Sequence, residues 1–160
     1  GRTSTGKGEM RRHLVLIGYR GAGKTTVGRL LARKLKMPFI DTDAEIVRAA
    51  GMSVARIFRE KGEPAFRKME SRQIAQLARR KISVVAVGGG ALDRTANRRV
   101  LKRIGYLVWL DVPARTLLKR LERQKGRPIL SGNSHRAEMR ILLPLRRRIY
   151  RGCADLRISI

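Results

Sequence analysis

Residues 18–25, Gly18-Tyr19-Arg20-Gly21-Ala22-Gly23-Lys24-Thr25, fit G-x-x-x-x-G-K-[ST] at full spacing. In such a loop the glycines let backbone N–H groups turn toward an anion, and the helix that follows adds the partial positive charge of its N-terminus. Gly21, Ala22, Gly23, Lys24, Thr25 and Thr26 are the candidate phosphate-binding residues. Lys24 would reach the β- and γ-phosphates, and the Thr25 hydroxyl would bind Mg²⁺. The flanks suit this reading. Residues 13–17 (HLVLI) form a short apolar run fit for a buried strand, and residues 24–36 place Val27, Leu30, Leu31 and Leu35 at helical spacing. The octet therefore falls between a strand end and a helix start, where a nucleoside triphosphate is the expected ligand.

Further candidates lie where other strands should end. Asp41 and Asp43 close the segment Phe39-Ile40-Asp41-Thr42-Asp43. The next predicted strand ends in Gly88-Gly89-Gly90, so Asp41 is the natural carboxylate beside a metal, directly or through water. Thr42 with Glu45 also fits a capping box, and both roles are compatible. Arg67 has two readings that spacing leaves even: a helix-surface pair with Glu63 or Glu70, or a planar fork gripping a substrate carboxylate. Three glycines in a row would let a ligand lie against bare backbone. Arg127, in Gly126-Arg127-Pro128-Ile129-Leu130, sits in a breaker-rich loop that would bring a cation onto a transferring phosphoryl group.

The elements that must position these residues alternate. Strands are expected over 13–18, 38–41, 83–87, 106–110 and 155–160. Helices are expected over 24–36, 43–50, 53–61, 64–80, 95–103, from Pro113, and over 135–150, with a loop over 124–135. Continuous apolar strands alternating with helices imply an α/β fold, a parallel sheet between helix layers. The length of 160 residues suits one domain. Residues 1–12 read as a disordered basic tail and about 113–136 as a lid.

Charge is the unusual feature. Thirty-eight Lys and Arg, 28 of them Arg, face 12 acids for a net +26, and omitting residues 1–9 changes this by one unit. Such a field steers anions inward and favours non-specific contact with nucleic acid. Aromatics are only 4% of the chain, however, and no basic stretch carries interleaved rings for base stacking, so no obligatory nucleic-acid partner is expected. No stretch approaches the roughly 18 apolar residues of a membrane span. Cys153 is the single cysteine, which excludes an intrachain disulfide and suits a reducing, cytoplasmic setting.

Taken together, Gly18–Thr25, residues 39–43, Gly62-Glu63-x-x-Phe66-Arg67-x-x-Glu70, Val87-Gly88-Gly89-Gly90-Ala91 and residues 126–130 resemble the shikimate kinase family. The resemblance runs from about residue 13 to 158. It implies a nucleoside-monophosphate-kinase-like fold with a five-stranded parallel sheet and a mobile lid. It implies an enzyme that phosphorylates the 3-hydroxyl of shikimate from Mg·ATP, on the route to chorismate and aromatic amino acids; separately, a monomer is expected. By motif, Asp43 would accept hydrogen bonds from shikimate hydroxyls, and Arg67 and Arg146 would hold its carboxylate. Gly88, Gly89 and Gly90 would line the substrate, with the Gly89 N–H donating to it. Arg127 would be the lid cation and Arg120 would lie over adenine. Lys24, Asp43 and Arg127 form the catalytic set, with Thr25 and Asp41 at the metal. The family pattern Arg-x-Pro-Leu-Tyr is here Arg146-Arg147-Arg148-Ile149-Tyr150, so Arg147 competes with Arg146 for register. Family members continue past the last strand into an adenine-touching loop and a helix, whereas this sequence stops at Ile160.

Three rivals remain: a kinase of the same fold acting on gluconate, a kinase-like binding or regulatory module without turnover, and a basic nucleic-acid-associated ATPase. The Asp43, Arg67 and glycine-triplet set argues against the first. Lys24, Thr25, Asp41 and Asp43 argue against the second.

Overall fold

The computed structural model describes residues 12–124, 129 and 134–160. Five strands form one sheet: β1 (His13–Ile17), β2 (Phe39–Asp41), β3 (Val84–Ala86), β4 (Gly105–Asp111) and β5 (Leu156–Ser159). All neighbours pair in parallel, in the order β2-β3-β1-β4-β5. Among the described residues seven α-helices connect them: α1 (Lys24–Leu35), α2 (Thr42–Ala50), α3 (Val54–Lys61), α4 (Glu63–Gln76), α5 (Thr95–Ile104), α6 (Ala114–Arg123) and α7 (His135–Cys153). The expected elements are all present, most of them ending within two or three residues of the sequence reading.

Strand periodicity divides the core into two layers. Val15, Ile17, Val85, Val87, Leu107 and Trp109 face one side, where Ile74, Leu77, Leu101, Tyr150 and Cys153 cover them. Leu16, Val84, Val108 and Leu110 face the other, under Ala32, Leu117, Leu121, Met139 and Leu143. A strand buried on both faces has no polar alternation, which is why the runs in the sequence are continuous. Helix α7 contributes to both layers, Met139 and Leu143 to one and Tyr150 and Cys153 to the other. His13 is buried and satisfied. Its Nδ1 accepts from Ser83 N at 3.0 Å, so Nε2 carries the proton donated to the Leu77 carbonyl at 2.7 Å.

Helix α1 corrects one expectation. Leu30 and Leu35 are 57% and 49% exposed, and the stripe facing the sheet is Gly28 and Ala32, with Val27 and Leu31 at its edges. A Cβ on Gly28 would stand 2.5 Å from Phe39 Cε1. The missing side chain lets α1 settle close onto β2; Leu30 lies on the opposite side of the helix, and Leu35 is its last residue.

In this topology β1 is where the chain changes direction. Successive connections lead from β1 to β2 and β3 on one side, and then to β4 and β5 on the other. Ligands in open parallel sheets bind beyond the carboxyl ends of the strands at such a point. The glycine-rich loop leaves β1 there, flanked by the ends of β2, β3 and β4.

Candidate active site

The loop between β1 and α1 is built around glycines. Gly21 and Gly23 have φ of 81° and 94°, left-handed values that L side chains rarely adopt, and Gly23 is the residue from which α1 springs. Lys24 folds back over the loop, its Nζ 2.5 Å from the Gly18 carbonyl and 3.1 Å from that of Tyr19. Ala22 is buried, whereas Thr26 is exposed in the first turn of α1. From the last turn of α6, Arg120 Nη1 donates to the Gly21 carbonyl at 2.9 Å, so its guanidinium lies against the loop.

Thr25 and Asp41 meet beside this loop. The Thr25 hydroxyl donates to Asp41 Oδ2 at 2.8 Å. Asp41 Oδ1 accepts from the backbone N–H groups of Asp43 and Ala44 at 3.0 and 3.2 Å, which makes Asp41 the N-cap of α2. The expected Thr42–Glu45 capping box is therefore absent. Thr42 is fully buried with its hydroxyl aimed at the Ala86 carbonyl, and Glu45 pairs with Arg48 and Arg80. Asp41 divides its oxygens between the cap and Thr25.

The glycine triplet beyond β3 forms a floor with opposite charges at its two ends. A Cβ on Gly88 would stand 2.9 Å from Glu70 Oε2 and 3.1 Å from Asp43 Oδ1. A Cβ on Gly90 would stand 2.6 Å from an Nη of Arg67 and 2.7 Å from one of Arg146. Two residues of backbone span at most about 7 Å, so carboxylates and guanidiniums flank the two ends of one short stretch of backbone. Gly89, between them, packs under the third loop residue, Arg20, whose N lies 3.1 Å from a Gly89 Cβ position. The Gly89 carbonyl accepts from the Tyr150 hydroxyl at 2.5 Å.

Each guanidinium is held by a carboxylate. Arg67 Nη1 donates to Glu70 Oε1 at 2.9 Å, with Glu63 3.5 Å away, and Arg146 Nη2 donates to Asp93 at 3.2 Å. Burial pushes the Glu70 carboxyl up from its ordinary value, with the Arg67 charge opposing that rise. Burial also raises the Tyr19 hydroxyl against the pull of Arg20 and Arg146. For Arg146, burial works against the charged form, but Tyr150 and Asp93 outweigh it and its value lies above the ordinary one. Arg146 is 2% exposed and its guanidinium lies 5.7 Å from the centre of the Tyr19 ring. Arg147 points elsewhere, donating to the Val112 carbonyl at 3.2 Å and approaching Asp111. Of the two, Arg146 is the one that stands beside the glycine triplet.

The family model for shikimate kinase matches residues 20–159. The chain belongs to the shikimate kinase family. It is 44% identical over 148 residues to the shikimate kinase of Symbiobacterium thermophilum, covering 91% of this chain and 85% of that relative. It is 43% identical to the shikimate kinase of Persephonella marina, covering 92% and 88%. A shikimate kinase structure from Acinetobacter baumannii, in complex with shikimate, superposes with a TM-score of 0.89 at 39% identity, covering 98% of this chain and 87% of that one.

Set against this shikimate kinase fold, the sequence reading places most of its residues together. Lys24, Thr25, Asp41 and Arg120 gather at the loop, and Asp43, Arg67, Gly88, Gly89, Gly90 and Arg146 gather at the glycine floor. Arg127 lies outside the described residues, as do 125–128 and 130–133 of the expected lid. The part of that region described as α6 buries Leu117 and Leu121 in the core. Sequence reasoning treated Glu70 only as a surface partner of Arg67, yet its side chain is 1% exposed beside the Gly88 end of the floor. Its i+3 spacing from Arg67 was visible, but its burial was not. The contacts of Asp93, Tyr19 and Tyr150 have no signal in the sequence, and neither does the ion pair of Arg20 with fully buried Glu138. Among the described residues no helix is long and apolar enough to cross a membrane.

Proposed function

We propose that this chain transfers the γ-phosphoryl group of ATP to the 3-hydroxyl of shikimate, giving shikimate 3-phosphate and ADP. The observation that carries the reading is the polarity of the glycine floor, with carboxylates at Gly88 and guanidiniums at Gly90. Shikimate is a small monoanionic triol, and its shape and charge follow the same order. Its carboxylate belongs between Arg67 and Arg146, where planar forks make paired N–H contacts. Its hydroxyls belong at the Asp43 end, and the Gly89 N–H is a further donor.

Phosphoryl transfer asks the protein mainly for positioning and for stabilisation of charge. Lys24 and the loop N–H groups hold the donor's phosphates. Asp43 accepts a hydrogen bond from the nucleophilic hydroxyl, orients its oxygen toward the donor, and is placed to take its proton as the new P–O bond forms. Asp93 and Glu70 hold the two arginines so that little side-chain freedom is lost when the acceptor binds. Tyr19 and Arg20 bring the donor loop directly against Arg146 and Gly89, so the two half-sites share a wall.

The residues present fit a magnesium ion. Thr25 Oγ1 and Asp41 Oδ2 are hard oxygen donors 2.8 Å apart, and Mg²⁺ keeps several waters and needs few protein ligands. When bound, it would neutralise charge on the β- and γ-phosphates. Arg127 is proposed as a further cation on the transferring group, by motif alone.

The test is ADP release from Mg·ATP with and without shikimate at moderate salt. Strict dependence on shikimate is expected. Equal ADP release without it would sink the assignment, and turnover with gluconate instead would move the chain to a sister activity of the same fold.

A further inference from the structure

A second cavity lies away from the strand ends, in the groove where α5 runs beside the last turns of α7. It is an open groove of about 450 Å³, within the roughly 300–1,000 Å³ of small-ligand sites. Helix α5 presents Arg98, Arg99 and Lys102 to it along one stripe, at i, i+1 and i+4, and α7 adds Arg148 from the facing wall. Half of the groove's lining residues are cations and none is a carboxylate. The two acids nearest in sequence are committed elsewhere: Asp93 to Arg146, and Asp155 to the backbone N–H of Leu107 at 2.8 Å. Four like charges around one groove make it an attractor for anions.

Two details mark the groove as shaped. The Arg98 guanidinium is fixed, donating to the Leu92 carbonyl at 2.7 Å and to the Thr95 hydroxyl at 2.9 Å. A fixed cation loses little freedom on binding a ligand. The floor holds Ile149 and Gly152. Gly152 lies in the exposed last turn of α7, and a Cβ there would meet nothing within 4 Å. The glycine leaves the floor open.

We propose that the α5–α7 groove is a binding site for a small organic polyanion, a molecule with an apolar body carrying two or more carboxylate or phosphate groups. The partly apolar lining and the limited volume favour such a molecule over a nucleic-acid backbone, which gains little here without aromatic platforms.

The probe is benzene-1,2,4,5-tetracarboxylate, titrated calorimetrically into the full chain at 150 mM salt. Saturating Mg·ADP and shikimate are present so that the loop and the glycine floor are filled. Saturable one-to-one binding is expected. It should weaken at least ten-fold in Gly152→Leu, which fills the floor without removing charge, and in Arg99→Gln/Arg148→Gln, which removes charge without filling it. Unchanged shikimate-dependent turnover in these variants verifies that they fold. Three results would overturn the proposal: no binding at millimolar probe, binding that neither variant alters, or displacement by oligonucleotides whose affinity climbs with every added nucleotide.

Discussion

The guanidinium groups of Arg67 and Arg146 close on one point above Gly90, standing 2.6 and 2.7 Å from where its Cβ would be. They arrive from α4 and α7, and only a residue without a side chain lets them meet there. Gly90→Ala should therefore push both aside while leaving the fold intact, since the displaced atoms are the ends of long side chains. The KM for shikimate should rise at least ten-fold, about 1.4 kcal/mol, with nucleotide affinity unchanged. Steady-state kinetics and a nucleotide titration check both halves.

Removing Arg67 has two consequences that a second substitution separates. Arg67→Ala should abolish turnover and also lower stability, by up to about 3 kcal/mol, because Glu70 is left buried without its partner. Glu70→Gln in that background should recover most of the stability and none of the turnover. Denaturant unfolding alongside kinetics gives the answer.

Glu70 also predicts a pH dependence whose sign is fixed. Its carboxyl is raised in the folded protein, chiefly by burial, so the folded state holds the proton more tightly than the unfolded chain. Its contribution to stability is fully present below the ordinary glutamate value and is lost as pH rises through the raised one. The stability of the wild type minus that of Glu70→Gln should fall across this window and level off above it. Paired unfolding curves from pH 4 upward are the measurement.

Asp41 divides its two oxygens between Thr25 and the α2 cap, and two substitutions divide them again. Asp41→Asn keeps a capping oxygen and should leave stability nearly unchanged while raising the Mg²⁺ concentration that turnover needs. Asp41→Ala should do the same to Mg²⁺ dependence and cost about 1 kcal/mol in addition. A Mg²⁺ titration of rate beside a thermal melt distinguishes them.

Asp43 and Lys24 act on opposite sides of the reacting group. Asp43→Asn should remove shikimate phosphorylation with ATP binding nearly intact. Lys24→Ala should slow transfer by about 10²-fold or more with any acceptor. Single-turnover kinetics with independently measured nucleotide affinity tests the pair.

The fold was legible because both-face burial writes each strand as an unbroken apolar run, and the glycine-rich octet fixes which strand end carries the phosphate site. The donor half of the site follows from local spacing, since Lys24, Thr25 and the glycines are neighbours in the chain. Of the acceptor half, Asp43, Arg67 and the glycine triplet stand out singly, but their assembly with Arg146 was legible only through resemblance, because they span more than a hundred residues and meet only in the folded sheet. What stayed hidden depends on packing between distant elements. Leu30 fits a helical face by spacing, but Gly28 against Phe39 sets which face is inward. Three successive arginines give no register until α7 is docked, when Arg146 turns to Tyr19 and Arg147 to Val112. Asp41 outcompetes Thr42 as the cap because Thr42 faces the interior, which spacing cannot reveal.

The divided carboxylate of Asp41 also constrains how a descendant of this protein would lose its chemistry. A lineage that kept nucleotide binding but no longer needed metal would drift at position 41 toward asparagine, serine or threonine, which still start the helix, and away from alanine or leucine, which do not. An uncharged capping residue there, beside an intact glycine-rich loop, would be the mark left in the sequence by a kinase turned sensor.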